Sequence, residues 1–131
     1  MGPAWTDPVP LDYEHLTATV NAAIDRYLAG PKKPTAALSE EGTGNRLIYE
    51  LLRRGINVPK DISVAVIGDN LWPLSTSGVT MTATRYPMKE MGRWSVAKAV
   101  RLVEEQSQAV QTLEIDATLI PRESTGPAPA E

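Results

Sequence analysis

"VPKDISVAVIGDN", residues 58–70, is the stretch on which the fold turns. Ile62 to Ile67 carry one hydroxyl and no charge. Pro59 precedes them and Gly68 follows. So short an apolar run between two breakers predicts a buried strand. Apolar character this continuous fits a parallel strand covered by helices on both faces. The strand then ends on a carboxylate and an amide, Asp69 and Asn70.

Upstream, "EEGTGNRLIYELLRRGINVP" (40–59) predicts a helix. Leu47, Ile48, Leu51 and Leu52 form its apolar stripe, and Gly55 is placed for a left-handed C-cap. "PTAALS" (34–39) predicts a strand before it, and residues 15–28 predict an earlier helix stopped by Gly30 and Pro31. Downstream, "VTMTATR" (79–85) predicts a third strand. Pro87 opens a long helix reaching about Gln106, whose stripe includes Met88, Met91, Val96 and Val103, with Trp94 on its flank. "LEIDATL" (113–119) alternates strictly and predicts a half-exposed strand with Leu113, Ile115, Ala117 and Leu119 inward. The order helix, strand, helix, strand, strand, helix, strand implies an α/β fold, a mainly parallel sheet flanked by helices. The expected layout is an irregular leader at 1–11, a folded unit at 12–120 and a polar, Pro-rich tail at 121–131. A sheet of about four strands has edges that need covering, by another segment or another subunit.

Composition narrows the function. The chain has 131 residues, a formal net charge of -3, no cysteine and a single histidine, His15. Nucleic-acid binding by this chain alone is not expected, since phosphates call for clustered Lys and Arg. A disulfide, a thiolate nucleophile and a Cys-based zinc site are excluded. No apolar run approaches the ~18 residues of a membrane span. The first residues lack the basic-then-apolar pattern of a signal peptide, so a cytoplasmic location and no membrane contact are expected.

In open parallel α/β sheets, ligands bind beyond the carboxyl ends of the strands. That rule selects Glu40 and Glu41 after the first strand, and Asp69, Asn70 and Trp72 after the second. Carboxylates and an amide suit vicinal hydroxyls, and an indole covers the apolar face of a sugar ring. A polyol or sugar fits such a kit better than a phosphate. Each residue also has a local explanation. Asp69-Asn70 suits a turn, Glu40-Glu41 suits a helix N-terminus, and Trp72 suits a loop anchor. "EEGTGN" lacks the Lys-Ser/Thr of a phosphate loop. The three carboxylates Glu40, Glu41 and Asp69 leave a Mg²⁺-using enzyme open as a minor reading.

These segments together resemble the lac/galactose repressor (LacI/GalR) family. "PTAALSEEGTGNRLIYELLRRGINVPKDISVAVIGDN" is similar to its run of PTA, an apolar strand, a polar pair, a helix, "G..VP.DISV" and a Gly-aromatic-Asp-Asp. "VTMTATRYPMKEMGRWSVAKAVRLVEE" resembles its "LTT.RQP..EMG", and "ATLIPREST" its "..LV.REST". The resemblance covers about Tyr13 to Thr125, in order. It implies the C-terminal part of an effector-binding domain of the periplasmic-binding-protein type. Such a domain binds a small effector, often a sugar, and dimerises. It uses no cofactor, metal or catalytic residue, and operator DNA is read only through an N-terminal helix-turn-helix, which this chain lacks. The resemblance carries ligand contact over to Asp69, Glu41 and Trp72 and sets Arg85 at the family's "T.RQP" arginine, as a cleft residue or a structural hinge-strand residue; with Glu40 and Asn70 from the strand-end rule, these are the expected ligand contacts. Glu40-Glu41 stand where the family has Asn-Asp, and "VIGDN" matches the Gly-aromatic-Asp-Asp loosely. In the family the long helix packs in the other subdomain. Here Met88, Met91, Trp94, Val96 and Val103 are therefore expected to meet a second copy as a homodimer, with domain swapping an option. The alternative is a stand-alone solute-binding or interaction module.

Overall fold

A computed structural model describes residues 15–31, 33–69, 76–104 and 112–128. The elements are α1 (Leu16–Ala29), β1 (Ala36–Glu40), α2 (Glu41–Arg53), β2 (Ser63–Ile67), β3 (Thr82–Arg85), α3 (Met88–Glu104) and β4 (Thr118–Ile120). Their order is the one the sequence predicts. The leader at 1–11 and the expected last turn of the long helix lie outside the described residues.

The four strands form one sheet in the order β1-β2-β3-β4. β1, β2 and β3 run parallel, and β4 is antiparallel to β3. Register aligns Glu40 with Ile67 and Ile67 with Thr84. The carboxyl ends of the three parallel strands therefore lie side by side. Because side chains alternate along a strand, Val64, Val66 and Ala83 share one face while Leu38, Ala65, Ile67 and Leu119 share the other.

The core occupies the first of these faces. Val20 and Ile24 of α1 and Ile48 and Leu51 of α2 pack on Val64, Val66, Met81 and Ala83. Spacings of four and three residues put each helical pair on one side of its helix. Arg54, just after α2, bonds Asp25 and Asn21 of α1 and ties the two helices together. Gly55 has φ +74°, the left-handed geometry that ends α2. Gly44, in the first turn of α2, lies so close to β2 that an added Cβ would sit 2.2 Å from Val66 Cγ1 and 2.9 Å from Ser39 Oγ. Its missing side chain sets the helix-to-sheet distance.

Three expectations need correction. Helices do not cover both faces of β2. Both α1 and α2 lie on the Val64–Val66 face, and among the described residues no helix lies on the other. Leu38, Ile67 and Leu119 are exposed there, Leu38 by 66%. The last strand does not run from Leu113. It begins at Thr118, because residues 112–117 pass beside α3, where Leu113 and Ile115 line a groove with Met91 and Trp94. In its ladder Ile120, not Leu119, shares the core face with Ala83.

The third correction concerns the expected tail. Arg122 to Gly126 are fastened into the sheet. β3 starts opposite Ala65, so Ser63 and Val64 of β2 have no β3 partner, and Ser124 fills that gap with its exposure at 0%. Its N–H donates to Thr80 O (3.0 Å) and its carbonyl accepts from Val64 N (2.8 Å). Its hydroxyl accepts from Thr82 N (2.8 Å) and donates to Val64 O (2.6 Å). Arg122 N donates to Thr82 Oγ1, and Gly126 N to Ser63 Oγ. The buried polar residues of the strands, Ser63 and Thr82, are thus satisfied by this strap, as burial of polar groups requires.

Candidate functional site

The carboxyl ends of β1, β2 and β3 bring Glu40, Asp69 and Arg85 to one side of the sheet. Each position has a local cause. Glu40 closes β1 and caps α2. Its carboxylate accepts from Gly42 N (2.5 Å), Thr43 N (3.0 Å) and Thr43 Oγ1 (3.0 Å). Partial burial pushes its pKa up, but these three bonds outweigh it and hold the carboxyl below the usual range. Glu41 is the first residue of α2 and is half-buried.

After β2, Gly68 adopts φ +105° and donates its N–H to Thr84 O (3.2 Å). That turn points Asp69 toward β3, where its side chain is only 3% exposed. Two guanidinium groups hold it. Arg122 binds it in a fork, Nη1 to Oδ1 and Nη2 to Oδ2, both at 2.9 Å. Arg85 donates to Oδ2 from Nε (2.9 Å) and Nη2 (2.6 Å). The Arg122 bonds foremost, and those of Arg85, hold the Asp69 carboxyl below the usual range against the opposing effect of burial. Arg122 is largely buried and also donates to Met81 O (2.6 Å). Arg85 is 56% exposed and presents the solvent-facing side of the cluster. Two cations around one carboxylate leave a local excess of positive charge.

Thr76 is fastened to α2, where Asn45 Oδ1 accepts from Thr76 N (2.9 Å) and Thr76 Oγ1 (3.2 Å). Asn70 and Trp72 lie outside the described residues. The structure therefore brings together Asp69 and Arg85, with Glu40 and Glu41 on the neighbouring strand end. Sequence reading missed Arg122 and Ser124. The "REST" motif contains both, and an unpaired carboxylate after β2 called for a counter-charge. Among the described residues no three His, Cys, Asp or Glu side chains group to hold a metal.

The expected interface residues lie elsewhere. Met88, Met91, Trp94, Val96 and Val103 are all exposed on α3, Val103 by 80%. An open groove of about 880 Å³ runs along this helix past Tyr86, Met88, Arg93 and Trp94. It is remote in chemistry from the carboxylate and guanidinium cluster.

Comparison with known proteins places this architecture. Residues 6–125 match the model of the periplasmic binding protein-like domain. The chain belongs to that family. The HTH-type transcriptional regulator KdgR of Bacillus subtilis (strain 168) is 31% identical over 70 residues, which are 53% of this chain and 20% of that protein. A LacI family transcriptional regulator from Bifidobacterium animalis subsp. lactis superposes with a TM-score of 0.74 at 24% identity, covering 86% of this chain and 41% of that one. A transcriptional regulator CelR–cellobiose complex superposes with a TM-score of 0.68 at 24% identity, covering 87% of this chain and 34% of that one. The likeness to the lac/galactose repressors read from the motifs thus extends to the fold. This periplasmic-binding-protein-like chain spans less than half of each of these relatives. Among the described residues no helix is long and apolar enough to cross a membrane.

Proposed function

We propose that this chain is the effector-sensing and dimerising portion of a LacI-type transcriptional regulator that works by binding, not by catalysis. The observation that carries the reading is the alignment of Glu40, Asp69 and Arg85 at the carboxyl ends of three parallel strands, where this architecture places ligands. The effector is a small polar molecule of the sugar or polyol class, in line with the cellobiose of the CelR–cellobiose complex. Asp69, with both oxygens engaged, fixes Arg85, and Arg85 meets the effector. Glu40, Glu41, Asn70 and Trp72 supply the rest of this wall. Operator DNA is contacted only through a helix-turn-helix beyond this chain, in the cytoplasm. The exposed face of α3, with Met88, Met91, Trp94, Val96 and Val103, serves a homodimer.

A titration of the ¹⁵N-labelled protein with sugars, sugar acids, polyols and nucleosides tests the site, because amide shifts register even millimolar binding. The expected result is a saturable shift at Gly68 and the Arg85 Nε–H for at least one compound, lost in Arg85→Ala. Shifts confined to α3, or none across the panel, would overturn the site assignment.

A further inference from the structure

Acidic side chains mark the strand ends, yet two of them have their oxygens occupied by this chain itself. Glu40 accepts three bonds from the first turn of α2. Asp69 accepts four from Arg122 and Arg85, and its side chain is 3% exposed. A ligand hydroxyl would have to displace a guanidinium to reach it. The groups that close it off, Arg85 and Arg122, belong to the same sheet and its strap.

Arg85 is the opposite case. Its Nε and Nη2 both donate to Asp69 Oδ2, so one edge of the guanidinium is held. The other edge, Nη1 with the second hydrogen of Nη2, has no partner among the described residues, and the side chain is 56% exposed. Arg85 stands one residue beyond Thr84, which registers with Ile67 at the end of β2. The two parallel N–H groups of that edge match the two oxygens of a carboxylate. A guanidinium accepts no hydrogen bond, so the protons of a ligand's hydroxyls gain nothing from it. Asp69, Arg85 and Arg122 sum to one positive charge. Glu41, two strand spacings or about 10 Å away at the end of β1, adds a negative one. A single negative charge on the ligand suits that balance, and the nearly two of a phosphate ester exceed it.

We propose that the effector carries a carboxylate, as a sugar acid does, and that Arg85 binds it through this edge, with Asp69 as a positioning residue that does not touch the ligand. The inference rests on the site assigned above and narrows its sugar and polyol class to the corresponding acids.

Matched probes test it by titration of the ¹⁵N-labelled chain. Glucuronate is set against glucose and against its own methyl ester, and gluconate against sorbitol, with acetate and glucose 6-phosphate as further anions. The sugar acids are expected to shift the Gly68 N–H and the Arg85 Nε–H saturably, at least about tenfold more tightly than their neutral partners. Acetate and glucose 6-phosphate are expected to bind more weakly than the sugar acids. Neutral partners that bind at these two groups as tightly as the acids overturn this proposal and leave the site standing. So does acetate or glucose 6-phosphate binding as tightly as the acids, since the site would then take any anion or prefer dianions. No shift with any probe overturns the site and the proposal together. Arg85→Lys keeps the charge but not the fork, and is expected to weaken acid binding about tenfold. Asp69→Asn removes a negative charge, which would strengthen the binding of an anion held by the field alone. It is expected to weaken binding instead, because Arg85 is released. Acid binding unchanged in Arg85→Lys, or strengthened in Asp69→Asn, overturns the proposal. Far-UV circular dichroism reports the fold of each variant, and Arg85→Lys, at an exposed side chain, carries the test if Asp69→Asn unfolds.

Discussion

The strap at Arg122–Gly126 and the helix α3 reverse the usual relation between polarity and burial. The strap is polar and sits in a stretch with the composition of a tail, yet Ser124 is buried to 0% exposure. α3 is apolar on one side, yet Val103 is 80% exposed. Hydropathy decides which residues gain from leaving water. Whether they leave it depends on a partner surface being present. Ser124 finds four hydrogen-bonding partners between β2 and β3, so its desolvation costs little. Among the described residues the α3 ridge has no facing surface, so its apolar area gains nothing there from leaving water.

The largest expected effect breaks the polar side of this contrast. Asp69→Ala leaves the buried guanidinium of Arg122 without its carboxylate, and a loss of about 4 kcal/mol in unfolding free energy is expected by urea denaturation. The pH dependence sharpens it. The carboxyl pKa of Asp69 is depressed in the fold, so its stabilisation is complete above the unfolded value near pH 4 and is lost as pH falls through the lower folded value. The gap between wild type and Asp69→Asn should therefore be widest near neutrality and close in acid. A gap that is constant with pH would show that the ion pairs do not set it.

Ser124→Val comes next. Two methyls in place of one hydroxyl leave Thr82 N without an acceptor and Val64 O without its hydroxyl donor, and add bulk to a site closed to water. About 3 kcal/mol is expected from two such losses, read from the same urea curves. Ser124→Ala, which leaves room for a water, should cost less.

How far these regions were legible in the sequence follows from the range of the forces involved. The order of elements, the stripe of α2 and the turn at Gly55 depend on neighbours within a few residues, and periodicity reports them. The meeting of Glu40, Asp69 and Arg85 required only parallel strands. The partner of Asp69 is Arg122, 53 residues away, and nothing local marks it. The strap was hidden because Pro, Gly and Ser have the same composition in a solvated tail and in a tight polar wedge. The bare sheet face was hidden because a near-continuous apolar run on β2 is equally consistent with cover from this chain or from another. Gly44→Ala tests a third such contact. The new methyl would collide with Val66 Cγ1, and about 2 kcal/mol of destabilisation is expected. Gly42→Ala, where the nearest atom is Glu40 Oε1 at 3.1 Å, should cost less.

The smallest expected effect is the one that defines α3. Val96→Ser removes apolar surface from a residue that is 65% exposed. At a concentration low enough to dissociate a dimer, the change in unfolding free energy should stay within about 0.5 kcal/mol. At high concentration the wild type should gain stability by mass action and the variant should gain less, so the two curves separate only as protein is added. A substitution that cost as much at low concentration as at high would mean that Val96 is already covered within one chain. The helix would then belong with the strap, as a region whose partner lies in the same molecule. A cost that grows with concentration keeps it apart, as an element whose apolar face is covered by a second molecule.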